Sequence, residues 1–245
     1  LPEIGASTYV GYWNLEGTTS DHENMSDDHA ESAYIYADLE DGFVEKYITG
    51  GEFDGYHIDY IYGPIGGIVG SRGDDIIYAS NDGLMEIWDG KEVTASGFAY
   101  GYFGHDILAT HEGLHDNKLD GRDGDDVFVI QNTGRTIIYA NVSDGNLLYP
   151  NYEVSEDIDT FIIANVGGST KINDYDDGEV VTFVDYGHDA VFSTSYDRIS
   201  DVTTVNVNSE VLQNVPVLEI VGNFVLSLDD IDSYSGAYDH ILANN

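Results

Sequence analysis

Cysteine is absent from the 245 residues, so there are no disulfides and no thiolate chemistry. Any metal would have to be held by oxygen or imidazole. Positive charge is scarce: 8 Lys plus Arg stand against 46 Asp plus Glu, for a formal net charge of −38. Such a surface has almost nothing to neutralise phosphates, which excludes nucleic-acid binding through a basic face and disfavours docking on anionic lipid. No apolar run reaches the roughly 18 residues needed to insert into a membrane. The chain begins at Leu1 without an initiator Met or a hydrophobic signal region, as expected of a mature product or a cut fragment. Hydrophobic residues make up 42% and aromatics 12%, too much for a disordered acidic tail. The length fits one large all-β domain or two small ones, with ample chain to bury a core.

The acid that is present has a pattern. It comprises 31 Asp and 15 Glu, and many of the Asp lie beside Gly. Asp-Gly runs belong to turns, and clustered turn carboxylates repel one another unless a cation sits among them. A solvated, salt-adapted surface has no reason to set Asp at fixed offsets from Gly. The spacing therefore favours bound hard cations.

Three regions are expected. Residues 1–62 form a Tyr-rich β region packed on the remainder, in which Ala33–Ala37 and Phe43–Ile48 pair across a turn at Glu40-Asp41-Gly42. Ahead of that hairpin, Asp21, His22, Glu23, Asp27, Asp28 and His29 form an acidic loop or short helix. Residues 63–141 carry an internal repeat. Residues 142–245 form a C-terminal β region, with strands expected at 159–164, 179–185, 190–194, 202–207, 217–221 and 223–228.

The repeat is a nonapeptide. Gly70-Ser71-Arg72-Gly73-Asp74-Asp75-Ile76-Ile77-Tyr78 aligns with the stretches beginning at Gly101 and Gly121. Residues 112–120 fit the same frame, with Asn117 in place of Asp and Leu119 at the apolar position. Weaker copies place Gly83 before Ile87 and Gly134 before Ile138. Each position has a mechanical purpose. Glycines permit a crowded turn whose carbonyls converge, Asp at position six adds a carboxylate, and the apolar residue at position eight points inward from a short strand. Two nonapeptides would make one coil. Oxygen ligands at this density, with no Cys and few His, suit Ca²⁺. The fold class expected is all-β: a degenerate parallel β-roll or β-helix with flanking antiparallel strands, sandwich-like at its end.

These residues resemble the RTX (repeats-in-toxin) class, and the layout resembles the C-terminal domain of serralysin-type secreted proteins. Residues 170–180 and the closing Val221–Ile231 segment contribute to the likeness. The resemblance implies a secreted, extracellular module, exported by a type I route, that folds when it meets external calcium. Carried over by position, the ligands are Asp75, Asp106 and Asp126, with Asn117 as a neutral substitute, and Gly121, Asp123 and Gly124 as turn-carbonyl donors. Asp106 and Asp126, 20 residues apart, are near the roughly 18 of a two-nonapeptide coil and are expected to share an ion. The frame is degenerate, because Ser71, Tyr102 and Arg122 replace its second glycine.

His111-Glu112-Gly113-Leu114-His115 matches H-E-x-x-H, which on a helix would bind zinc and activate water. Gly113 and the surrounding glycines oppose a helix, and the same residues satisfy the nonapeptide frame, so a turn is expected and no catalytic residue is assigned. Two other function classes stay open. One is a Ca²⁺-dependent adhesin or lectin-like domain holding a carbohydrate or peptide ligand through Tyr34, Tyr36, Tyr60 and Tyr62. The other is a zinc or polysaccharide hydrolase, recognised by a helix across 107–116 or by paired carboxylates in a cleft.

Overall fold

The computed structural model describes residues 9–12, 33–48, 55–61, 67–79, 84–88, 91–114, 116–141, 157–164, 167–176, 178–186, 189–210 and 212–224. Among these there are 18 strands and no helix. Alternating inward apolar and outward residues, punctuated by Gly and Asp, give short strands and no 3.6-residue stripe.

The strands form two sheets. The first runs, in spatial order, β1 (Tyr9–Gly11), β5 (Gly67–Val69), β8 (Lys91–Phe103), β10 (Asp116–Asp123), β12 (Arg135–Asn141), β14 (Ser169–Ile172), β18 (Val215–Val221), β17 (Val202–Asn208) and β16 (Val191–Asp197). The second runs β15 (Val180–Phe183), β13 (Thr160–Ile163), β11 (Val127–Ile130), β9 (Ile107–Thr110), β6 (Ile76–Ala79), β2 (Ala33–Asp38), β3 (Phe43–Ile48) and β4 (Gly55–Tyr60). In the middle the chain alternates between sheets and every neighbour is parallel, so it winds as a roll. Antiparallel meanders extend the sheets at opposite ends, β2–β3–β4 on one and β18–β17–β16 on the other. The all-β roll with flanking antiparallel strands is the fold expected from the sequence.

Position eight of the repeat builds the core. Ile77, Leu108, Phe128 and Phe161 pair in register along one sheet; Ile68, Ala99, Leu119, Ile138 and Ile172 do so along the other. All are fully buried, and the Phe128 and Phe161 rings stack 5.2 Å apart. Full burial of one such side chain contributes about 2–3 kcal/mol.

Two expectations are corrected. The undisturbed coil is 20 residues, as from Asp106 to Asp126, rather than two nonapeptides. The 31-residue step from Asp75 to Asp106 contains an antiparallel hairpin in which β7 (Leu84–Trp88) pairs with the start of β8, so Ile87 lies in an excursion and not in a coil. The expected C-terminal β region begins as a continuation of the roll, because the parallel ladder runs past residue 141 through β13, β14 and β15. The acidic segment at 21–29, Tyr62, His115 and most of the 223–228 strand lie outside the described residues, while Asn223 and Phe224 follow β18 outside any strand.

Candidate functional site: a buried carboxylate column

Each coil has two corners, and they differ chemically. Where the chain leaves the first sheet for the second, the residue two before the inward apolar one is acidic: Asp75, Asp106, Asp126, Asp159 and Glu179. Where it returns, the corresponding residues are Gly97, Asn117, Thr136 and Thr170. All five acids are buried, and Asp106 and Asp159 are 0% exposed.

The acids are stacked by backbone hydrogen bonds. Ile35 N–H donates to Asp75 Oδ1 (2.7 Å), Asp75 N–H to Asp106 Oδ1 (2.8 Å), Asp106 N–H to Asp126 Oδ1 (2.8 Å) and Asp126 N–H to Asp159 Oδ1 (2.8 Å). Each Asp carbonyl in turn accepts an N–H from the next coil, as Asp106 does from Val127 (2.8 Å). A carboxylate thus replaces the missing ladder acceptor at each corner. The second oxygen has less to do. Asp75 Oδ2 accepts the Ser71 N–H, but Oδ2 of Asp106 and Asp126 are buried without a hydrogen-bond partner, and the Asp159 and Glu179 carboxyls pair with each other when one of them carries a proton.

Those oxygens explain the first glycine of the repeat. A Cβ at Gly101 would lie 2.0 Å from Asp106 Oδ2 and 2.8 Å from the Gly121 carbonyl. Gly124, at position four, has φ +126° and packs on the Gly104 carbonyl. The degenerate second position keeps the same backbone: Tyr102 and Arg122 have φ +97° and +86°, a region a side chain occupies at a cost of about 1–3 kcal/mol.

Electrostatics follow from burial. Burial pushes Asp75 and Asp159 up to about 7, against the opposing effect of their N–H donors. Burial, then the neighbouring carboxylates, holds Asp106 and Asp126 well above the ordinary range. Glu179 is raised to about 9 by burial, with Asp159 adding to it. Neutralisation of this column requires protons or a cation.

An outer set of side chains flanks the same corner with opposite polarity. Asp74 Oδ1 accepts the His105 N–H (2.9 Å), His105 Nδ1 accepts the Asp125 N–H (2.9 Å), and Asp125 Oδ1 accepts the Ile158 N–H (2.8 Å). With Nδ1 accepting, the His105 proton lies on Nε2. On the outward face of the first sheet, Arg122 and Lys118 flank Asp120 at 3.1 and 3.7 Å and cover Tyr100, Phe98 and Tyr139.

No family model, no curated protein and no solved structure matches this chain.

Of the residues expected at the site, Asp75, Asp106 and Asp126 fall in one column. Asn117 does not join them. It lies in the opposite corner beside Thr136, buried, with both amide atoms unpartnered. Thr110, Asn132 and Thr136 bond to one another there, so the buried positions of that corner are neutral. Gly121 packs against the column, the Asp123 carbonyl accepts the Gly104 N–H (3.1 Å), and the Gly124 N–H donates to Asp157 Oδ2 (3.0 Å). Asp106 and Asp126 do not face one another across a gap, because Oδ1 of Asp126 is bonded to the Asp106 backbone. Sequence reasoning missed Asp159 and Glu179. Asp159-x-Phe161 and Glu179-x-Val181 carry the acid-x-apolar signal without glycine at the first and fourth positions of the frame. Among the described residues, no three His, Cys, Asp or Glu side chains converge as a metal cluster.

Residues 111–114 are a corner without helix, and Leu114 is exposed. His111 instead bonds Asp38 Oδ1 (3.1 Å), tying the β2–β3 turn to the roll.

Proposed function

We propose that the chain is a calcium-ordered β-roll module of the repeats-in-toxin kind, which folds on meeting Ca²⁺ and serves the export, stability or surface attachment of an extracellular protein. One observation carries this reading: a continuous column of buried carboxylates in which Asp106 and Asp126 each keep an oxygen without a partner. The donors present fit a hard cation, since they are carboxylate and carbonyl oxygens with no thiolate. Asp75, Asp106, Asp126, Asp159 and Glu179 would hold ions along the corner, with turn carbonyls completing the shell, because side chains alone do not converge there. Ca²⁺ supplies positive charge that relieves carboxylate repulsion. The chain's own residues bring the carboxylates into register and exclude water from them. Binding free energy then becomes folding free energy.

The experiment is circular dichroism and thermal melting of the full chain in Ca²⁺ and in chelator, with calorimetric titration of the chelated protein. Strand signal gained with Ca²⁺ and a higher melting point support the reading. A fold and melting temperature indifferent to both conditions would end it. The lectin-like alternative has only part of its support: Tyr34 and Tyr60 are exposed, but Tyr34 stacks on Tyr47 at 4.7 Å, which covers one face of its ring.

A further inference from the structure

We infer that β16 is a self-complementary pairing edge, on which a second copy of this chain sets its own β16 antiparallel to the first. The surface is separate from the acidic corners and uses none of their carboxylates.

β16 ends the first sheet among the described residues. From Ala190 to Tyr196 the chain carries no charge and no Pro, the usual protections of an edge, although its net charge is −38. The strand is open on both faces: every residue from Ser193 to Asp197 is exposed, as is Val191 at 64%. The Gly222 N–H donates to the Asp201 carbonyl (2.7 Å), which fixes the ladder phase of β17. In an antiparallel pair, bonded and non-bonded positions alternate. Asn206, Thr204 and Val202 therefore bond to Ser193, Ser195 and Asp197. The N–H and C=O groups of Phe192, Thr194 and Tyr196 point away from β17, toward the open edge.

The side chains of these same three residues share the inward face of the sheet. Their β17 neighbours Val207, Val205 and Thr203 are buried. Phe192 stacks on Phe183 at 4.5 Å and meets Tyr186 edge-on at 5.6 Å. Thr194 and Tyr196 are instead exposed, so the aromatic cluster stops at Phe192 and the core face of the edge lies open beyond it. The Tyr196 hydroxyl donates to Asp201 Oδ1, which holds the ring beside the β16–β17 turn.

The occupant follows from the strand's own sequence. Antiparallel pairing centred on Thr194 is the two-fold register that brings all three outward-bonding residues of each copy opposite those of the other. It sets Thr194 opposite the partner's Thr194 and Phe192 opposite the partner's Tyr196, twice by symmetry, so each aromatic cluster gains a ring. On the outer face Ser193 meets the partner's Ser195 and Val191 meets the partner's Asp197. The two Asp197 side chains lie at opposite ends of the pair, and no like charges face each other. This is an isologous two-fold contact. One strand pair buries less than the about 1,200–2,000 Å² of a stable interface, and two copies each carrying −38 repel. The dimer is therefore weak and requires salt to screen that charge.

Sedimentation velocity of the full chain tests this, in whichever of Ca²⁺ and chelator its melting shows it folded, so the outcome does not depend on the calcium reading. Protein is loaded up to about 0.3 mM, which reports dissociation constants to about that value. Salt runs from low to about 0.5 M NaCl, where the screening length falls to about 4 Å. The expected result is monomer at low salt and a monomer–dimer equilibrium at high salt. Thr194→Lys, which sets like charges on the two-fold axis, is expected to raise the dissociation constant at least about tenfold. The chain has no cysteine, so introduced thiols report the register directly. Thr194→Cys sets two Cα atoms about 5.5 Å apart across the axis, within disulfide reach, whereas Ser193→Cys sets them about 8 Å apart, beyond it. Mild oxidation at high salt is expected to cross-link the first variant and not the second. Unchanged melting temperatures certify that the variants fold. Wild-type protein that remains monomeric over the whole range overturns the inference. So does a dimer that Thr194→Lys leaves intact, or equal cross-linking of the two thiol variants.

Discussion

Asp106→Asn exchanges one buried charge for an amide of the same shape. The Asn oxygen still accepts the Asp75 N–H, now made at 2.8 Å, so the corner keeps its backbone bond. The change falls on the column's charge. Carboxylates in successive coils are one strand spacing apart, and two unit charges at about 5 Å interact by about 3 kcal/mol at an effective dielectric near 20. Asp106 has a carboxylate on each side, Asp75 and Asp126. Full ionisation of all three would cost up to about 6 kcal/mol, and partial protonation reduces this to about 2–4 kcal/mol at mildly alkaline pH. In chelator the variant should therefore be more stable than wild type, melting about 5–15 °C higher. In Ca²⁺ the order should invert. Wild type gains about 2.7 kcal/mol per site at a hundredfold excess over Kd, and the neutral amide forfeits part of that gain. Calorimetric melts of both proteins in chelator and in Ca²⁺ provide the test. A variant less stable than wild type in chelator, or one with an undiminished response to Ca²⁺, refutes the reasoning.

Without Ca²⁺, the raised carboxyls make the fold acid-stable. Folded values lie above unfolded ones, so the stabilisation is complete below about pH 4 and is lost as pH rises through about 7 for Asp75 and Asp159 and about 9 for Glu179. For Asp75 alone the rise from 3.8 to about 7 corresponds to about 4 kcal/mol, and chelated melts from pH 4 to 9 should fall monotonically, with Ca²⁺ flattening the curve. Gly101→Ala should destabilise by about 3 kcal/mol, read by urea unfolding, because neither the Asp106 carboxylate nor the Gly121 carbonyl has room for a Cβ. Phe161→Ala should cost about 3–5 kcal/mol by the same assay, since the ring is fully buried against Phe128 and 5.9 Å from Tyr175. The Asp38 hydrogen bond raises His111, against burial. Burial pushes Asp38 up, but His111 and the Asp41 and Glu40 N–H groups hold it below 3.8. The contact, worth about 1 kcal/mol, is thus lost as pH rises through the raised His111 value and again as pH falls through the lowered Asp38 value. Hydrogen exchange at β2 and β3 in His111→Gln, flat across that upper limit where wild type is not, checks it.

Most of the fold was legible because its rules are local. The frame that sets Ile77, Leu108 and Phe128 two residues after an acid also sets which side chains face inward, and no tertiary information is needed for that. The hairpin at residues 33–48 was legible for the same reason, from alternation on each side of a turn. The site was half legible. Asp75, Asp106 and Asp126 share the glycine signature, whereas Asp159 and Glu179 belong to the column only because coils with different corner sequences stack in register.

By itself, then, the sequence determined an all-β roll, a donor set without thiolate and an excess of negative charge, since periodicity and composition act within a few residues. Tertiary structure alone decided that alternate corners are acidic and neutral, which separates Asn117 from Asp106 and Asp126. It also decided that the coil step is 20 residues and that each carboxylate caps a neighbour's N–H. The physical reason is that stacking is a non-local choice: which coil lies beside which depends on the whole ladder, and burial, not residue type, moves the carboxyls away from their ordinary ionisation.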